Sequence, residues 1–346
     1  MTEMLLPTYF GRGLIGELPK IAHRPYMVVT MPDLWPLFED QFDRHCGHVH
    51  LVEKLDRAEL DRLARTLPST QSIIGLGGGQ ALDVAKYLAW SRRVPLFQAP
   101  TALSVNAAWG HRAAVREDGV VQYVGWVVPE AIYVDFDVIQ AAPGLLNRSG
   151  VCDVFCYHTA LADWRLSHQL GRCESRWPYD PALAAASQRV LDETLAAVDD
   201  IRAMNEHGMR VLARGLQWGG AAFANAGWNP RHIEGVDHFF FYALEWLTRK
   251  PFIHGQPVCL GILLGSALQG NDPDRIRAAV EACDVPYLPE DMGVTWDDCF
   301  AALKAMPEIV QRAGLWHTIV SERPVTDEFC EQARAWLTGS RPWASA

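Results

Sequence analysis

The sequence has no stretch approaching ~18–20 consecutive apolar residues, so no membrane-spanning helix is expected. Its first residues, MTEMLLPTYFGRG, have no basic region followed by a long apolar run, so no signal peptide is expected either. Positive charge is not in excess: 31 Lys and Arg stand against 41 Asp and Glu, a net charge of −10 at pH 7. That balance argues against nucleic acid or an anionic membrane as partner. Zinc-finger cysteine spacing is also missing. Cys152 and Cys156 could share a helix face, but no second pair follows among the eight cysteines. Dispersed through apolar segments, the thiols read as reduced and buried, in a cytoplasmic setting. There is no internal repeat and no low-complexity tract.

What is present is a long chain with ample core material. At 346 residues and 49% hydrophobic content, two domains are expected. In the first half, short β-branched runs alternate with amphipathic segments. YMVVT (26–30), HVHLVEKL (48–55), SIIGL (72–76), VPLFQAP (94–100), VVQYVGWVV (120–128) and AIYVDFDVI (131–139) read as strands. Segments 34–42, 57–67 and 81–91 read as helices, and this alternation predicts a parallel sheet covered by helices. From about Gly150 the apolar spacing is helical almost throughout: 151–170, 181–205, 208–226, 236–248, 257–269, 274–283, 297–312 and 326–337. The expected architecture is an α/β, Rossmann-like nucleotide-binding domain over 1–148 and an all-helical domain over 149–346. A homo-oligomer, dimer or larger, is expected.

GLGGGQALDVAK (75–86) follows a strand and opens a helix. Gly77, Gly78 and Gly79 let the backbone approach a ligand closely, and free N–H groups at a helix start favour an anion such as a pyrophosphate. The run is G-x-G-x-x-Q in the third strand–helix unit, so it is not the usual dinucleotide fingerprint, and a plain tight turn fits it equally well. Asp83 and Lys86 share a helix face as cofactor contacts or as a surface pair. Thr101, Ser104 and Asn106 sit just past a strand's C-terminal end, where open α/β sheets bind ligands.

His238 opens one apolar helix-like run and His254 precedes another, while Asp153 opens an earlier one. A lone histidine on an apolar face is usually a core residue. Two with a carboxylate give a divalent metal three ligands and leave coordination positions open for substrate.

Taken in order, GGGQALDVAK (77–86), the PT of APTALS (100–101), PEAIYVDFDVIQAAP (129–143), GVCDVFCYHTALADWRL (150–166), EGVDHFFFYALE (234–245) and HGQPVCLG (254–261) resemble the glycerol dehydrogenase and 3-dehydroquinate synthase superfamily, which includes the iron-type alcohol dehydrogenases. Within it the sequence is most similar to the sn-glycerol-1-phosphate dehydrogenases. The resemblance spans roughly residues 25–270. It implies the dehydroquinate synthase-like fold, a pyrophosphate on the triple glycine, and Asp153, His238 and His254 as ligands of one divalent metal, zinc before iron or nickel. The iron-type alcohol dehydrogenases would add a histidine four residues past Asp153, where this chain has Tyr157, so three ligands are expected.

The sequence also departs from the family pattern. Asn106 stands where the family commonly has an acid that meets substrate. Met31 stands where an aspartate often grips the adenosine ribose, which leaves NAD and NADP both open. Of the Ser-Arg-Pro-rich run before the first metal histidine, Arg231 remains and little else. The expected activity is an NAD(P)-linked dehydrogenase or reductase acting on a small polyol, hydroxyketone or aldehyde, expected to be phosphorylated. His111, Arg112, Arg231 and His232 are its available anion partners, or are solvated charges. The alternative is a sugar phosphate cyclase of the dehydroquinate synthase type, which uses NAD only transiently, but its Gly-Gly-Lys motif is missing between 101 and 125. A metal-free binding or scaffold protein is a third class, against which an intact Asp-His-His set argues.

Overall fold

The computed structural model describes residues 6–117, 120–339 and 341–343. The chain divides into two compact units: Met1–Asn147 with Met204–Asn225, and Arg148–Ala203 with Ala226–Ala346. Among the described residues no helix is long and apolar enough to cross a membrane.

The first unit holds a six-stranded, all-parallel sheet. Its strands are β1 (Thr8–Gly11), β2 (Tyr26–Thr30), β3 (Cys46–Leu51), β4 (Ser72–Gly77), β5 (Leu96–Pro100) and β8 (Ala131–Asp135), in the order β1-β8-β5-β4-β2-β3. β2, β4 and β5 are buried along their whole length, as continuous apolar runs covered on both faces should be. β6 (Ala113–Glu117) and β7 (Val120–Val124) form a separate antiparallel hairpin.

Two readings of the sequence change here. AIYVDFDVI is a strand only to Asp135 and a helix from Phe136 to Ala141, because the Asp135 carboxylate accepts from the Asp137 N–H and caps a new helix start. The same carboxylate accepts the N–H groups of Gly13, Leu14 and Ile15, tying down the turn after β1. VVQYVGWVV ends its strand at Val124, where Gly125 takes a φ of +73°.

The second unit is helical. Its centre is the helix Val236–Thr248, packed against Gly255–Gln269 and Trp296–Ala313. Gly261 lets the first two approach: a Cβ there would lie 2.4 Å from the Asp237 carbonyl oxygen. Gly265 does the same against Val236, where a Cβ would meet Cγ1 at 2.4 Å. The close crossing sets the first turn of Val236–Thr248 against the middle of Gly255–Gln269. All eight cysteines are free thiols and six are buried.

Candidate metal centre and cofactor loop

Asp153 comes from the short helix Cys152–Phe155, His238 from the first turn of Val236–Thr248, and His254 from the N-cap of Gly255–Gln269. The structure brings these three residues together. The Asp153 Oδ1 lies 3.1 Å from His254 Nε2 and 3.8 Å from His238 Nε2. Ligand atoms bonded at ~2.0–2.2 Å to a tetrahedral ion stand about 3.4 Å apart, a value these two spacings bracket; the ligand-type atoms here fall into two adjacent groups, Cys152–Asp153–His254 and Cys156–Asp237–His238, each within 4.8 Å. Asp153 is buried and His238 nearly so, while the His254 side chain is 25% exposed, which leaves one side of the set open.

The electrostatics fit a cation too. Burial opposes ionisation of Asp153, but the two imidazoles outweigh it and hold the carboxyl far below the usual range. Burial would likewise keep His238 neutral, yet the carboxylates of Asp153 and Asp237 pull its proton affinity well above the ordinary value. Positive charge is therefore favoured at this point, and a divalent ion supplies it without protonating a ligand. The Cys152 thiol donates to Asp153 Oδ1 at 3.3 Å. Burial, then the Asp153 charge, pushes that thiol well up, so it acts as a neutral donor.

Asp237 was not singled out in the sequence. Its Oδ2 lies 2.5 Å from His238 Nδ1, and its Oδ1 accepts from the Thr159 hydroxyl. A carboxylate on the far nitrogen fixes the ring's tautomer and turns Nε2 toward the metal position. The signal was available: an acid directly before His238, at the start of the same helix. Glu234 was missed as well. It is half-buried, accepts from Tyr242 Oη at 2.7 Å, and acts electrostatically on His238 and His254. Burial pushes its carboxyl upward. His158 faces elsewhere, with Nε2 at 3.1 Å from Ser266 Oγ and 2.6 Å from the Asn271 carbonyl.

A model of the family described as iron-containing alcohol dehydrogenase matches residues 38–143. The glycerol-1-phosphate dehydrogenase [NAD(P)+] of Sulfolobus acidocaldarius is 30% identical over 338 residues, covering 94% of this chain and 93% of the relative. The chain belongs to the iron-containing alcohol dehydrogenase superfamily, as a homologue of the glycerol-1-phosphate dehydrogenases. That of Thermofilum pendens is also 30% identical, over 87% of this chain and 89% of its own. Among solved structures, a probable glycerol dehydrogenase from Sinorhizobium meliloti 1021 shares the fold, with TM-score 0.73, 18% identity and 94% coverage of both chains. The His/Cys/Asp cluster is a divalent-metal-binding site, and the chain is a metal-containing, NAD(P)-dependent oxidoreductase.

The superfamily's glycine turn lies at the end of β4. Gly77 has a φ of +152°, and a Cβ on it would strike Ala81 Cβ at 2.8 Å, so this position is fixed by the fold. A Cβ on Gly79 would meet Val105 at 2.8 Å. Gly78 differs: its φ is −78°, and a Cβ there meets nothing within 4 Å. Gly78→Val is therefore expected to leave the thermal midpoint within a few degrees while weakening NAD(P)H binding about 100-fold or more, because the branched side chain fills the space a pyrophosphate needs. Calorimetric titration with NADH and NADPH checks this, and undiminished binding would remove the turn from the cofactor site.

Other expected contacts are placed differently. Asp83 is buried and pairs at 2.7 Å with Lys86, whose Nζ also donates to the Arg112 carbonyl at 2.8 Å. That buried pair ties the helix to the segment leading into β6. Thr101 is buried, its N–H bonded to the Gly77 carbonyl at 3.1 Å, so it braces the turn. Ser104, Asn106 and Arg112 are half-buried in the same unit. His111 stacks on Trp126 with centroids 4.7 Å apart, and burial, then Lys86, pushes its imidazole down to about 4. Arg231 is 1% exposed. Its guanidinium is spent on Glu174 at 3.2 Å, the His317 carbonyl at 2.8 Å, the Asp163 carbonyl and the Ser167 hydroxyl. It braces the helical unit from within and is not an open anion contact.

Proposed function

We propose that this chain is an NAD(P)-linked dehydrogenase or reductase acting on a small polyol, hydroxyketone or aldehyde, with Asp153, His238 and His254 as the ligands of its metal. The observation that carries the reading is the Asp153–His238–His254 spacing with Asp237 behind His238. A bound divalent cation supplies Lewis-acid polarisation of the substrate oxygen and lowers an alcohol's pKa. The hydride chemistry itself belongs to the nicotinamide. The chain's own residues do the rest. Asp153 and the two imidazoles fix the cation's place, Asp237 and Thr159 set the His238 ring, and His254 borders the side open to substrate. Gly77–Gly79 form the turn at which the dinucleotide phosphates dock. Zinc suits three nitrogen and oxygen ligands with an open position, and iron or nickel fits the same donors.

Product accounting tests the reaction class. We expect one equivalent of absorbance change near 340 nm per product formed, and no inorganic phosphate released. Phosphate release with no net change in the nicotinamide would overturn this reading in favour of the cyclase type.

A further inference from the structure

Helix Val236–Thr248 carries His238 in its first turn, and its own start offers no side-chain cap. The N-cap is Gly235, which has nothing to accept the free N–H groups there. The grip comes from another element. In helix Tyr157–Gln169, Thr159 and Asp163 stand four residues apart and so share a face. Asp163 Oδ2 accepts the Val236 N–H at 2.9 Å, and the Thr159 hydroxyl donates to Asp237 Oδ1 at 2.5 Å. One helix face thus holds the two residues that directly precede His238, the first by its backbone and the second by its side chain.

The fit at this point is close. A Cβ on Gly235 would lie 2.7 Å from Asp163 Oδ2 and 3.0 Å from the Ala160 Cα. The Gly235 carbonyl in turn accepts the His238 N–H at 3.2 Å, so a shift of Gly235 carries through to the backbone of the ligand. Asp163 is buried, and its other oxygen accepts the Ile319 N–H at 2.8 Å. One carboxyl therefore joins the start of the His238 helix to the turn Ile319–Ser321. An apolar side chain in its place would leave both N–H groups without their acceptor.

We propose that Asp163 is a positioning residue of the metal centre: by capping the His238 helix from the neighbouring helix, it sets where the His238 imidazole stands and so tunes metal affinity from outside the ligand set. This rests on the metal-site reading above and deepens it. The place of one ligand is fixed jointly with the Ile319 turn, through a residue that touches neither the ion nor the substrate.

The test uses the intact enzyme with cobalt as the probe metal, at about pH 8, above the value of about 7 to which burial raises the Asp163 carboxyl. Cobalt affinity is read by competition with a chromophoric chelator, and the ligand geometry by the cobalt visible bands. Asp163→Asn keeps the side chain's size but turns an NH2 group toward one of the two N–H donors. It is expected to weaken cobalt binding about 5- to 10-fold, less than loss of the Asp237 carboxylate because it acts through the backbone, and to shift the bands. Gly235→Ala drives a methyl group against the same Asp163 oxygen while leaving the carboxylate in place, and is expected to act in the same direction. Trp336→Phe breaks a hydrogen bond to Asp274 elsewhere in the helical unit and controls for general loosening. It should lower the thermal midpoint yet keep affinity within about twofold and leave the bands unchanged. Wild-type bands and affinity in folded Asp163→Asn or, where that variant does not fold, in Gly235→Ala would overturn the proposal, as would a Trp336→Phe protein that moves both readouts as far. If wild type and Asp163→Asn bind cobalt alike, the metal-site reading stands without this residue. Wild-type protein that binds no cobalt would overturn that reading and the proposal with it.

Discussion

Asp153→Asn is expected to lower kcat about 1,000-fold or more while leaving dinucleotide affinity within a factor of about two. The amide keeps the side chain's size in a fully buried position, but it removes the negative charge that the two imidazoles converge on and with it the cation's anchor. His254→Ala and His238→Ala remove a ligand each and are expected to fall in the same range. The glycine turn proposed to receive the dinucleotide belongs to the other compact unit, which is why binding and turnover should separate. Stopped-flow hydride transfer together with calorimetry on NAD(P)H checks the pair of outcomes. A ligand variant with near-wild-type kcat would show that the residue does not hold the metal.

The second large effect concerns a residue that touches no substrate. Asp237→Asn is expected to weaken metal affinity about 10- to 100-fold, the usual cost of losing the carboxylate behind a ligating histidine. The reason is the 2.5 Å contact to His238 Nδ1, which now fixes the ring so that Nε2 faces Asp153. At saturating metal much of the activity should return, which separates Asp237 from the ligands themselves. Thr159→Val, which removes the hydroxyl bonded to the other Asp237 oxygen, should act the same way more weakly. Competition with a chromophoric chelator gives the affinities. An unchanged affinity in Asp237→Asn would mean that the ring is held by packing alone.

These residues show what could be read in the sequence and what could not. Periodicity is a local signal, so the helix over 236–248 and the strand over 26–30 have the predicted bounds. β1 escaped notice because the four residues Thr8–Gly11 carry no period, and its place in the sheet depends on pairing with β8, more than a hundred residues away. β6 escaped for a similar reason: its alternation is broken by Arg116 and Glu117, and only pairing with β7 makes it a strand. Asp153, His238 and His254 stand out as candidate ligands mainly through the family resemblance, since an acid and two histidines in apolar segments fit buried core residues as well. The supporting contacts could not be named, since Arg231 next to a ligand loop looks like an anion site until Glu174 is seen to occupy it. Asp163, in the same way, is an acid in an apolar helix until its oxygens are found accepting the Val236 and Ile319 N–H groups, where they hold the start of the His238 helix.

Elemental analysis of freshly purified, untagged protein, for wild type and Asp153→Asn in parallel, tests the central claim most directly. The arrangement of Asp153, His238 and His254 predicts about one equivalent of zinc, iron or nickel per wild-type chain, activity lost on chelation and restored by the metal, and far less than one equivalent in the variant. Wild-type protein that contains no transition metal and keeps full activity after chelation would contradict it.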